Sequence, residues 1–157
     1  CDITAIEPFP ERLQDTLDAA NNTFPLNIVK DFVQNVDLKF FSQLEKDDIL
    51  FIDSSHVLKA GSDVCYELFE IIPTLKPGVL VHFHDIHYPF EYADPWLFER
   101  HYSWNEIYGV RAFLSFNTDF NVIAFNAYNW HGKRQLLEKK VGQPIPNTGG
   151  GLWMRRV

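Results

Sequence analysis

The chain has 157 residues, of which 46% are apolar and 15% aromatic, and it carries a formal net charge of −7. That length and apolar share suit one domain with a packed core and exclude global disorder. The acidic balance offers no basic groove, which excludes nucleic acid as the expected partner and points to a small-molecule or neutral glycan ligand.

No apolar run approaches the roughly 20 residues of a membrane span, and no signal peptide is visible, so no membrane partner and a cytoplasmic setting are expected. Cys1 and Cys65 have neither CxxC nor zinc-ligand spacing. The chain opens without Met on residues that already read as a strand, and further sequence is expected upstream.

Ile3 to Glu7 reads as a short strand stopped by Pro8 and Pro10. Glu11 to Ala20 follows as a helix, with Leu13 and Leu17 at helical spacing. Asn27 to Val33 reads as a second strand and Leu38 to Leu44 as a helical turn or two. Ile49 to Ile52 is an unbroken apolar run ending in Asp53, the pattern of a strand buried on both faces of a parallel sheet. Ser62 to Leu75 is an amphipathic helix, with Val64, Leu68, Ile71, Ile72 and Leu75 on one side and Lys76-Pro77-Gly78 closing it.

Val79 begins a strand that runs into His82-Phe83-His84-Asp85, and an aromatic segment follows from Tyr88 to Tyr102. Trp104 to Phe116 reads as a helix, Phe120 to Phe125 as a strand, Lys133 to Lys140 as a helix and Leu152 to Arg156 as the last strand. Strand and helix alternate throughout, which defines an α/β domain with a mostly parallel sheet; the last two strands can pair antiparallel. Gly149 to Gly151 reads as a turn rather than a phosphate loop, because no strand-to-helix junction surrounds it.

Ligands of open α/β sheets bind beyond the carboxyl ends of the strands. Three polar groups fall there: Glu7, then Asp53 with Ser54, Ser55 and His56, then His84 and Asp85 with His87. Glu7 stands where a carboxylate can accept from both hydroxyls of a ribose; the bland alternative is a solvated Glu before a Pro turn. Asp53, His56, His84 and Asp85 can bring two carboxylates and two imidazoles together. Mg²⁺ would take the carboxylates, Zn²⁺ or Fe²⁺ also the imidazoles, and a neutral His can serve as general base for a hydroxyl. The aromatic segment reads equally as a lid or sugar-stacking wall and as a loop packed onto the core.

Together these segments resemble a known family. ITAIEPFP resembles the second strand of class I S-adenosylmethionine (SAM)-dependent methyltransferases, and DDILFIDSSH their fourth. LKPGVLVHFHDIHYPFEY resembles the following helix-to-strand block of a bacterial subgroup, whose later segments WNEIYGVRAFLSFN, FNVIAFN and GGGLWMRR resemble. The resemblance implies a Rossmann-like sheet with an antiparallel last strand, in one domain over residues 1–157. No glycine-rich turn precedes Ile3, so the first family strand is expected to be absent and SAM to bind weakly to this chain alone.

The resemblance further implies that Glu7, Asp53 and Ser54 bind the cofactor SAM. A looser likeness to metal-dependent sugar O-methyltransferases implies Asp53, His84 and Asp85 as ligands of a divalent metal such as Mg²⁺. It implies His56, with Asp53, as the catalytic pair acting on a small-molecule or sugar hydroxyl. His84 stands where those enzymes usually carry an acidic residue. A homo-oligomer is compatible with this reading. Two rivals stand beside it: a metal-dependent oxygenase built on His82, His84 and Asp85, and a non-catalytic interaction domain of the same fold.

Overall fold

The computed structural model of the chain describes residues 2–20, 25–145 and 149–157. Cys1 lies outside them, while Cys65 is a free thiol. Contacts divide the chain into two compact units, Cys1–Asp37 and Leu38–Val157.

The first unit is one strand–helix–strand crossover. β1 (Ile3–Ile6) and β2 (Leu26–Val29) pair in parallel from Ile3 opposite Leu26, and α1 (Glu11–Ala19) joins them. Parallel neighbours need such a crossover, because a tight turn cannot return the chain to the same end. β2 stops at Val29 instead of reaching Val33. Asp31 accepts from the backbone N–H of Phe32 and from the Asn35 amide, both at 2.7 Å, and these local bonds turn Val33–Asn35 into a 3₁₀ helix. None of the described residues of this unit is buried.

The second unit holds a four-stranded sheet in the order β3-β4-β6-β5. β3 (Ile49–Ile52) and β4 (Leu80–His84) are parallel, and β6 (Gly151–Arg156) lies antiparallel to both β4 and β5 (Phe120–Phe125). The α/β class and the antiparallel last strand therefore stand. The described strands form two sheets, β1-β2 and β3-β4-β6-β5, in a chain whose first family strand is expected to be absent.

Short α2 (Leu38–Ser42) precedes β3. The amphipathic stretch forms a continuous helical rod over 63–74, made of α3 (Asp63–Tyr66), a π-helical turn (Glu67–Ile71) and α4 (Ile72–Thr74). Ser62 caps it by accepting from the Cys65 N–H at 3.2 Å. Pro73 explains the wide turn: it has no N–H to give the preceding turn, and its ring crowds the carbonyl four residues back. Val64, Leu68, Ile71 and Ile72 are all at most 1% exposed, so the sequence stripe does face the core.

That core joins the rod and α5 (Glu106–Leu114) to one face of the sheet, through Ile52, Val81, Phe83, Leu152, Met154, Ile107 and Val110. The other face is different. Ile49 and Phe51 are 52% and 57% exposed, which corrects the expectation that β3 is buried on both faces. Strand alternation puts these two side chains opposite Leu50 and Ile52, away from the helices. Phe51 instead stacks on His82 with centroids 4.5 Å apart, and His82 meets Trp153 at 4.4 Å.

α6 spans Asn126–Val141 and begins earlier than Lys133, where the sequence placed its start. Asn and Gly disguised its first turns, which bury Ala127, and the helix bends at Lys133 beside Gly132. Gly78 ends the loop after the rod at φ 92°, and a Cβ there would stand 2.6 Å from the Lys46 Cγ.

Candidate active site

β3 and β4 are parallel neighbours, so their carboxyl ends deliver Asp53 and Asp85 to the same edge of the sheet. The loop after β3 then carries His56 back over that edge. Six bonds sew this loop in place. Asp63 accepts from the Ser55 N–H at 2.7 Å and the Ser55 hydroxyl at 2.6 Å. Asn105 accepts from the Leu58 N–H at 2.6 Å, and its own amide donates to the Leu58 carbonyl at 3.1 Å. The His56 carbonyl accepts from the N–H groups of Asn105 and Glu106, which ties the loop to the start of α5.

At the centre, His56 Nδ1 lies 2.7 Å from Glu106 Oε2. Glu106 is 1% exposed and His56 6%. The Ser54 hydroxyl donates to Glu106 Oε1 at 3.0 Å and accepts from the His56 N–H at 3.1 Å. A buried carboxylate facing Nδ1 fixes the tautomer: Nδ1 carries the hydrogen and Nε2 presents its lone pair. Nε2 faces Asp53 Oδ1 at 3.8 Å and Asp85 Oδ2 at 3.9 Å, and the Asp53 side chain is 57% exposed. Trp104 covers the imidazole with centroids 4.6 Å apart.

Burial alone would push the His56 pKa down. The hydrogen bond and charge of Glu106, backed by Asp85 and Asp53, outweigh it and hold the pKa above the usual value. His56 and Asp85 also occupy the left-handed backbone region, at φ 59° and 51°. Such conformations cost about 1–3 kcal/mol in non-glycine residues and persist only where the surroundings enforce them. For Asp85 the enforcing contact is the Gly150 carbonyl, which accepts its N–H at 3.1 Å. A Cβ on Gly150 would stand 2.6 Å from the Asp85 Cα.

The expected residues thus fall into separate groups. Asp53, Ser54, His56 and Asp85 converge, with Ser54 turned to Glu106. His84 lies beside Asp85, its Nε2 3.5 Å from Oδ1, with its ring near Phe51 and His82 at 6.0 Å. Glu7 belongs to the first unit, at the carboxyl end of β1, where its Oε1 accepts from the Phe9 N–H at 3.0 Å.

Among the described residues, no three His, Cys, Asp or Glu side chains are gathered as a metal's donor set. The Asp53, His84 and Asp85 trio expected to bind a metal is therefore not assembled here, and neither is the oxygenase triad. His82 sits between Phe51 and Trp153, 5% exposed, and burial with the charge of nearby His84 pushes its pKa down to about 4.

Glu106 is the residue the sequence reading missed. An acidic residue in the first turn of a helix ordinarily meets solvent and the helix dipole. The available signal was its place in the stripe Glu106, Val110, Phe113, spaced four and three apart on the apolar side of α5.

A buried His–carboxylate pair thus stands at the strand ends of the α/β sheet. The family model of a methyltransferase domain matches residues 2–86, more than half of the chain, and the chain belongs to that family. The match runs from β1 through Asp53 and His56 to Asp85 and ends before Glu106. No curated protein and no solved structure matches the chain.

Proposed function

We propose that this protein transfers the methyl group of SAM to a hydroxyl of a small molecule, with His56 as general base. The observation that carries the reading is the His56–Glu106 pair: a 1% exposed carboxylate 2.7 Å from Nδ1, with Nε2 turned towards the exposed strand ends.

The half-exposed Asp53 carboxylate can accept from the hydroxyl or ammonium groups of SAM. SAM, when bound, supplies an electrophilic methyl group on a sulfonium. This chain's own part is to position the acceptor and take its proton. His56 Nε2 accepts the hydroxyl proton as the oxygen attacks. Glu106 then stabilises the imidazolium through Nδ1–H, and Asp53 and Asp85 lie close enough to add to that stabilisation. A positioned base of this kind contributes about 10²–10⁴-fold.

The test is transfer of labelled methyl from SAM to a panel of polyols, glycosides and phenols, at saturating SAM, with SAM binding measured by calorimetry. His56→Ala is expected to keep SAM affinity and lose about 100-fold or more in transfer rate. Transfer at the wild-type rate by His56→Ala would remove the base assignment. Absence of SAM binding even at high concentration would remove the cofactor assignment.

A further inference from the structure

Residues 87–96 and the first turns of α6 form a cavity of about 280 Å³, walled by His87, Tyr88, Glu91, Tyr92, Trp96 and His131 with two alanines. None of Asp53, His56 and Asp85 lines it, so it stands apart from the proposed base. We infer that this cavity is an aromatic cage for the head of a small quaternary ammonium compound, a binding site that goes beyond methyl transfer and does not rest on it.

Size sets the first limit. Ordinary ligand clefts hold roughly 300–1,000 Å³, and this cavity lies just under that range. It has room for a compact headgroup whose tail stays in solvent.

The wall then sets the sign of the ligand's charge. Tyr88, Tyr92 and Trp96 carry π-systems whose faces are electron-rich and attract cations. Glu91 adds a carboxylate, and no lysine or arginine lines the cavity among the described residues. Burial raises the pKa of the Tyr92 phenol and lowers that of His87, so neither adds charge to the wall at about pH 8. A cation meets three rings and a carboxylate here.

Hydrogen bonding decides between cations. A primary ammonium or a hydrated metal ion would give up water that this wall cannot replace. Glu91 already accepts from the Tyr108 hydroxyl at 2.7 Å, and the Tyr92 oxygen accepts from the Ile107 N–H at 3.3 Å. No three His, Cys, Asp or Glu side chains are gathered for a metal among the described residues. A quaternary ammonium has no N–H to satisfy, and its charge is spread over methyl groups that pack on ring faces.

The rings are also held from behind. Trp96 meets His87 at 5.2 Å, Trp104 at 5.5 Å and Tyr92 at 6.5 Å. Tyr88 stands edge-on to Tyr128 at 5.2 Å and to Phe125 at 6.0 Å. A wall fixed in advance loses little freedom when a ligand enters.

The test is calorimetric titration of the whole chain at about pH 8 with choline, with ethanolamine and with 3,3-dimethyl-1-butanol, the uncharged isostere of choline. Choline is expected to bind about tenfold more tightly than either. Tyr88→Ala removes a side chain that is 42% exposed and is expected to weaken choline about tenfold, whereas Tyr88→Phe keeps the ring and stays within about threefold of wild type. Glu91→Gln is expected to weaken it about threefold. No binding of choline, equal binding of the uncharged isostere or of ethanolamine, or wild-type affinity in Tyr88→Ala would each overturn the inference. Added SAM is expected to leave choline affinity unchanged; displacement would give the cage to the sulfonium of SAM and overturn a separate site. Choline binding without methyl transfer to any acceptor would sink the proposed reaction and leave the cage standing.

Discussion

His56 is governed by opposing forces: burial disfavours its charge, and Glu106 favours it more. Replacing Glu106 by Gln keeps the shape and removes the charge, so the His56 pKa should fall. The acid limb of the methyl-transfer pH profile is then expected to move to lower pH, while the maximal rate drops about 10-fold or more as the imidazolium loses its counter-charge. A profile that keeps its position would assign Glu106 a packing role only. Glu106→Ala leaves a buried imidazole without its partner and is expected to cost about 3–5 kcal/mol in denaturant unfolding.

Glu67 gives a second residue-scale prediction. It is 8% exposed, its Oε2 has no hydrogen-bond partner, and burial with the charges of Glu106, Asp63 and Asp53 raises its pKa to about 8. A raised folded-state pKa contributes stability that is complete below the unfolded value of 4.5 and is lost as pH rises through about 8. The raised pKa of His56 acts in the same sense, with loss as pH passes its folded value. Melting curves should therefore show wild type losing stability from mildly acidic to alkaline pH. Glu67→Gln, uncharged throughout, should flatten much of that slope and melt higher than wild type above about pH 8. A Glu67→Gln curve parallel to wild type would count against ionisation of this buried group.

At the scale of elements, the site depends on two connections rather than on any one strand. The loop after β3 is held by Asp63, which accepts from both the N–H and the hydroxyl of Ser55. Asp63→Ala should leave the sheet core intact yet speed hydrogen exchange of residues 54–58 and lower the methyl-transfer rate. The turn before β6 supplies the other connection. Gly150→Ala places a Cβ 2.6 Å from the Asp85 backbone, so that backbone must shift. An overpacked contact of this kind costs about 1–3 kcal/mol, to be read from urea midpoints, and Asp85 should lose its position opposite His56. The rod over 63–74 shows why element boundaries escape periodicity: its apolar stripe was legible, but the π-helical turn ahead of Pro73 was not.

For the whole molecule, the division of contacts makes a direct prediction. Among the described residues, every buried core side chain falls in the unit Leu38–Val157, including Phe83, Ile107 and Leu152 at 0% exposed. The described residues of Cys1–Asp37 contain no buried side chain and a sheet of two strands, which is marginal in water by itself. A 38–157 fragment is expected to unfold cooperatively and keep the His56–Glu106 pair, and a 1–37 peptide to give a coil-like circular dichroism spectrum. A non-cooperative 38–157 fragment would contradict this division. None of the helices among the described residues is long and apolar enough to cross a membrane.

The sequence alone determined the α/β class, most strands and the candidate residues Asp53, His56 and Asp85. These follow from local signals: apolar runs, helical spacing, Pro and Gly punctuation, and polar residues closing strands. Tertiary structure decided the rest. Whether β3 is covered on one face or two depends on where the helices lie, and Ile-Leu-Phe-Ile reads the same either way. Whether histidines and carboxylates form a metal set depends on distances between strands, which spacing along the chain does not encode. The partner of His56, which lies on the loop after β3, came from fifty residues away on α5. A buried charge is legible only together with the group that compensates it, and long-range packing alone brings those two together.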